Sequence, residues 1–142
     1  ACVSHYIVKH VGRENYFAIG IRSGTKEEYG FADKHLKYYS ADQVASSGIE
    51  KVVKEALSHL KPKKIYLSID FDVLDPAYAP AVSTPEPFGL TPRDLQRVIR
   101  ALAPRVIGFD LVEIAPGYDH GETALLGAKL VREFIAARAA SG

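Results

Sequence analysis

Asp70 and Asp72 stand two residues apart at the end of an apolar run, Ile65-Tyr66-Leu67-Ser68-Ile69-Asp70-Phe71-Asp72. Strand interiors are depleted in aspartate, so a pair of them closing such a run needs a reason. If the run is a strand, residues two apart point the same way, with Cα atoms about 6.6 Å apart. Two carboxylates that close resist ionising together unless a cation lies between them. Their oxygens suit hard ions such as Mg²⁺ or Mn²⁺. A pair of ions roughly 3.5–4 Å apart could share Asp70 and leave Asp72 on only one of them. Asp75, directly before Pro76, reads as a turn residue.

A second acidic feature is Gly108-Phe109-Asp110-Leu111-Val112-Glu113. Glu113 closes an apolar run, and a carboxylate there could grip a guanidinium through two parallel hydrogen bonds. Asp110, three residues earlier, falls on the opposite face of the same strand and reads as a hydrogen-bonded structural acid. His10, His35 and His59 sit in helical stretches without metal-ligand spacing, and His120 follows the late strand near its end.

The elements that must position these residues alternate along the chain. Residues 3–11 read as a helix stopped by Gly12, and 16–22 (YFAIGIR) as a buried strand. Thr25 and Glu28 have capping-box spacing, which predicts a helix from Lys26 to about His35. A short strand is expected at 37–40. Ser47 and Glu50 read as a second capping box, ahead of a helix with Ile49, Val52, Val53, Ala56 and Leu60 on one face. The strand at 65–71 leads into a loop holding Pro76, Pro80, Pro85 and Pro87. Thr91-Pro92 opens the next helix, which ends near Ala103-Pro104. A strand at 106–114 and a helix from about Glu122 to Ala139 complete the series. Buried strands alternating with capped helices predict an α/β fold, a mostly parallel sheet with helices on both faces in three layers. Ligands in such sheets bind beyond the carboxyl ends of the strands, where Arg22, Asp70, Asp72 and Glu113 fall.

The chain's 142 residues amount to about one domain. A net charge of +1 gives no electrostatic case for nucleic acid or an anionic membrane. No apolar run approaches the roughly 20 residues that span a bilayer. A single cysteine, Cys2, fits a reducing cytoplasm. The chain contains no Met, so the expectation is that it does not begin at a start codon and that an upstream part exists.

SIDFDVLDPAYAP, then STPEPFGLT, then GFDLVEIAPGYD resemble, in order, the second half of the ureohydrolase family of arginases and agmatinases. Ile19-Gly20-Ile21-Arg22-Ser23 with Glu27-Glu28 looks more like agmatinase. The resemblance implies an arginase-like fold without its N-terminal half, residues 1–142 being the C-terminal part of a single ureohydrolase domain. It implies two Mn²⁺ ions, with Asp70 bridging both, Asp72 binding one and Glu113 holding the guanidinium of the substrate. The implied reaction is hydrolysis of a guanidino compound, agmatine to putrescine and urea, by water that the metals activate. Arg22 and Glu28, after the first strand, could line the amine end of the substrate or equally belong to a surface loop. The family's usual glycines are replaced by Ser83 and Phe88. Its upstream Gly-Gly-Asp-His and Asp-Ala-His-x-Asp segments, which carry the other metal ligands, do not occur in this chain. The implied partners are therefore that missing half and further copies in a homo-oligomer, and the isolated chain is expected to be inactive. Two other readings compete. Leu67 to Val73 also fits the nucleophile loop of a haloacid-dehalogenase-type aspartyl phosphatase, although no late acidic pair follows. A non-catalytic fragment is the other.

Overall fold

The structure, a computed structural model, describes residues 2–61 and 64–141. It forms two compact units, residues 1–63 and 64–142. In the first unit, α1 (Cys2–Val11) is followed by β1 (Ala18–Ile21), α2 (Lys26–His35), β2 (Tyr38–Ser40), α3 (Ala41–Ser47) and α4 (Ile49–His59). α1 stops at Gly12, whose φ of 81° no side-chain-bearing residue adopts easily. α2 begins where its capping box predicts: the Thr25 hydroxyl accepts from the Glu28 N–H, and the Glu28 carboxylate accepts from the Thr25 N–H at 2.8 Å. β1 and β2 run parallel, Ala18 beside Tyr38 and Ile19 beside Tyr39.

One expected cap is overturned. Ser47 does not cap α4; it is the last residue of α3, a helix that the sequence pattern did not reveal. The box that forms instead is Ser40 with Gln43, which starts α3. Gly48, at φ 82°, then ends α3 and begins α4 with no side-chain cap. A left-handed glycine lets one residue serve both helices, so no hydroxyl is needed there. The apolar stripe of α4 is as expected, with Ile49, Val52, Val53 and Ala56 buried.

The second unit contains β3 (Ile65–Asp70), α5 (Pro92–Leu102), β4 (Val106–Val112) and α6 (Glu122–Ala139). β3 and β4 are parallel, Ser68 beside Asp110 and Asp70 beside Val112. The four strands thus form two parallel pairs, β1-β2 and β3-β4. Alternate residues of β3 and β4 enter a core of Ile69, Phe71, Leu74, Val82, Leu95, Ile99 and Leu130, with Leu67, Phe109 and Leu111 packed against it. The rings of Phe109 on β4 and Phe134 on α6 stack at 4.3 Å between centroids. Arg100 on α5 donates to Glu133 on α6 at 2.7 Å, and this contact comes first among those that hold the Glu133 carboxyl down at about 2. α6 is started by Asp119, whose carboxylate accepts from the Gly121 and Thr123 N–H groups, each at 2.8 Å. A hydrogen bond with the Thr123 side chain, then the Thr123 N–H, are the main causes that lower its pKa, and the Gly121 N–H adds to them. Among the described residues no helix is long and apolar enough to cross a membrane.

The proline-rich segment is pinned at both ends. Leu74 bridges Leu90, and Val82 bridges Ile114. Asp75 is the turn residue its sequence context predicts, with a wider reach. One carboxylate oxygen accepts from Ala77 N–H at 2.9 Å, and the other from Phe88 N–H at 2.7 Å and Gly89 N–H at 3.2 Å. Phe88 is held there at φ 65° with its ring 83% exposed. A left-handed backbone costs an L-residue roughly 1–2 kcal/mol, and the exposed ring buries little to offset that. Phe88→Gly should therefore stabilise the fold by about 0.5–1 kcal/mol, after allowing for the greater freedom of glycine in the unfolded chain. A denaturant midpoint that moves down would contradict this.

Candidate metal centre

β3 ends at Asp70, and there the chain leaves the strand. Residues Phe71–Val73 form a 3-10 turn with Asp70 as its cap, the Asp70 carboxylate accepting from the Asp72 N–H at 3.3 Å. This corrects the expectation from strand alternation: Asp70 and Asp72 come together through the turn. Phe71 between them is fully buried and anchors the turn in the core; burying such a ring contributes about 1.5–3 kcal/mol.

The two carboxylates disturb each other as expected. Partial desolvation lifts the Asp70 carboxyl to about 6, the negative charge of Asp72 is the next cause, and a hydrogen bond between the two carboxyls and the charge of Glu113 add to it. The bond from the Asp72 N–H works in the opposite direction. A proton shared between the pair stabilises it in the absence of metal, and a cation in the same place would do so without protonation.

Glu113 follows β4 directly, exposed, with its backbone at φ 66°. Among the described residues only Phe88 and Glu113 are non-glycine residues with positive φ. Backbone strain of this kind costs of order 1–3 kcal/mol and gathers at functional sites. The Val82–Ile114 bridge, with Ala115 N–H donating to the Ala81 carbonyl at 2.9 Å, brings the segment after Val82 alongside Glu113. That segment holds Thr84, whose hydroxyl donates to Asp72 Oδ2 at 2.6 Å. Thr84 was not singled out from the sequence. Its only signal there was its place in the Thr-Pro-x-Pro-x-Gly-Leu loop, because a contact between residues twelve apart leaves no local pattern.

Other residues have different work. Asp110 accepts from Tyr66 Oη at 2.5 Å and Ser68 Oγ at 2.6 Å, fastening β4 to β3. This is the hydrogen-bonded structural acid its spacing suggested, and its carboxylate is the main cause that raises the Tyr66 pKa. The carboxylate of Glu28 is used in the α2 cap, while Arg22 lies just past β1 in the first unit. His120 donates its N–H to Glu122 at 2.9 Å. His59 and Phe17 approach ring to ring, and His35 lies against Phe31. Among the described residues no group of three or more His, Cys, Asp or Glu side chains is arranged to hold a metal ion. Asp70 and Asp72 fit part of a ligand set for a hard cation: oxygen donors, adjacent, with one carboxyl raised by desolvation and then by the other's charge.

The arginase family model, described as "Arginase family", matches residues 1–137. An agmatinase of Halalkalibacterium halodurans is 41% identical over 129 residues, which is 88% of this chain and 43% of that protein. The crystal structure of agmatine ureohydrolase of Thermoplasma volcanium superposes with a TM-score of 0.91 at 42% identity, over 96% of this chain and 46% of that one. Proclavaminate amidino hydrolase from Streptomyces clavuligerus gives 0.83 at 28% identity, over 99% and 48%. The chain spans under half the length of these relatives. Its α/β fold is arginase-like. The chain belongs to the arginase family.

Proposed function

We propose that this chain is the C-terminal part of a single ureohydrolase domain in a two-manganese enzyme that hydrolyses a guanidino substrate, agmatine to putrescine and urea. The observation that carries the reading is the Asp70–Asp72 turn at the end of β3, where desolvation first and the Asp72 charge next raise the Asp70 carboxyl to about 6. The likeness to the agmatine ureohydrolase of Thermoplasma volcanium supports agmatine as the substrate. The match to the arginase family across residues 1–137 favours this reading over an aspartyl phosphatase.

Asp70 would hold both cations and Asp72 one of them. When bound, the manganese pair lowers the pKa of water and offsets the carboxylate charge. Glu113 orients the substrate: its carboxylate receives guanidinium N–H groups and fixes the carbon to be attacked above the Asp70–Asp72 pair. The remaining ligands would come from the missing N-terminal half. The lone Cys2 supports a cytoplasmic setting. Apolar side chains left exposed on β3 and β4, Tyr66 at 66% and Ile107 at 70%, support packing by the missing half, and the complete enzyme is proposed to assemble into a homo-oligomer.

The decisive assay measures urea release from agmatine with Mn²⁺, for the isolated chain and for the complete enzyme. The isolated chain should release none and the complete enzyme should turn over. Urea from the isolated chain, or phosphate-ester hydrolysis in place of urea release, would overturn the reading. Glu113→Gln separates the roles further. It should keep both metals and lose turnover, since a neutral amide forfeits a charge-assisted bond of roughly 1.5–3 kcal/mol. Metal loss in that variant would make Glu113 a ligand instead.

A further inference from the structure

We infer that Thr84 is a positioning residue: through its hydrogen bond it fixes the Asp72 carboxylate in the direction needed to hold a cation. This rests on the cation-site reading proposed above for Asp70 and Asp72. The bond from Thr84 Oγ1 to Asp72 Oδ2 is 2.6 Å, the length of a charge-assisted O–H···O⁻ bond. Both ends are anchored independently. On one side the Asp72 backbone is set by buried Phe71 before it and by its own N–H on Asp70. The direction of its carboxylate is set by the Thr84 hydroxyl on Oδ2 together with the hydrogen bond it shares with the Asp70 carboxyl.

On the other side, Thr84 lies two residues past Val82, which is bridged to Ile114 and 1% exposed. Ala81, just before, donates to the hydroxyl of fully buried Thr123 at 3.1 Å. Pro85 restricts the Thr84 backbone to extended conformations. Branching at Cβ also limits the Thr84 rotamer. Thr84 therefore delivers its hydroxyl from a rigid support, which is what an orienting group around a metal ligand requires. Glu113 keeps the contact with substrate.

The test compares Thr84→Val, which keeps the shape and loses the hydroxyl, with Thr84→Ser, which restores it, in the complete enzyme. Mn²⁺ titration followed by electron paramagnetic resonance reads the affinity of each site. Thr84→Val should weaken one of the two sites by about 10–100-fold and leave the other unchanged. Thr84→Ser should recover most of that loss. At saturating Mn²⁺ the KM for agmatine should stay near wild type. Unchanged affinity at both sites, with a raised KM, would overturn the inference and make Thr84 a substrate contact. A crystal structure of the metal-free Thr84→Val variant provides a reading that needs no metal. The Asp72 carboxylate should have turned away, and an Asp72 that has not moved overturns the inference whatever the metal does. Wild-type enzyme that binds no Mn²⁺, with Asp72 turned in the metal-free variant, would overturn the functional reading and leave the positioning role supported.

Discussion

Asp70→Asn in the complete enzyme should abolish urea release and empty both metal sites, while Asp72→Asn should empty mainly one. An amide offers one neutral oxygen, and a bridge between two cations needs two anionic ones. The consequence for folding runs the other way. In the metal-free protein the Asp70 carboxyl titrates near 6, against an ordinary 3.8, because of desolvation first and the Asp72 charge second. A carboxyl raised in the folded state lowers stability as it ionises. That cost sets in as pH rises past the ordinary value and is complete above about 6. Asparagine cannot ionise, so metal-free Asp70→Asn should be at least as stable as wild type at neutral pH, and lost activity would not reflect unfolding. Elemental analysis beside a thermal melt makes the check. Equal metal content in wild type and Asp70→Asn would sink the assignment.

Gly89→Ala should be the most destabilising single methyl in this part of the chain. A Cβ at residue 89 would lie 2.4 Å from Asp75 N, 2.5 Å from Leu74 C and 2.7 Å from Val73 O. All three are main-chain atoms, and they belong to the end of the turn that carries Asp72 and to the two residues after it. No side-chain rotamer change relieves the clash, so the Leu74–Leu90 bridge must open or the turn must shift. The expected loss is roughly 2–4 kcal/mol, read as a lower denaturant midpoint, together with weaker Mn²⁺ binding because the Asp72 turn moves. By comparison, a methyl at Gly127 meets the Ile114 Cδ1 atom, the end of a flexible side chain, at 2.6 Å and should cost less. Wild-type stability in Gly89→Ala would mean that the loop is not seated against the turn as described.

Where the information was local, the sequence could be read closely. The Thr25–Glu28 box and the Thr91-Pro92 start both form as read, and α2 and α5 begin directly after Thr25 and Thr91. The apolar stripe of α4 was equally legible, while β3 ends at Asp70, one residue before the expected Phe71. The misreadings arose where two local signals competed or where the deciding contact was distant. Ser47–Glu50 has the spacing of a cap, but the Ser40–Gln43 box claimed Ser47 as the end of α3. The Asp70–Asp72 contact depends on a tight turn that buries Phe71, which alternation along a strand cannot foresee. At the centre itself, the acids stood out by type and place. The hydroxyl of Thr84 did not, since threonine in a proline-rich loop is unremarkable until the fold returns it to Asp72. Nor does the residue type announce that Glu113 occupies a left-handed backbone.

On the proposed role of Glu113, that backbone sets stability against function at one position. Glycine is the residue best suited to φ 66°, and at 113 it would remove the carboxylate as well as the strain. A lineage or a laboratory library selected only for heat resistance, with no demand for turnover, is therefore pushed toward glycine at 113 and toward a sturdier, inert protein. If Glu113 holds the guanidinium as proposed, selection for turnover opposes that drift, and glutamate at this position would be a record of use.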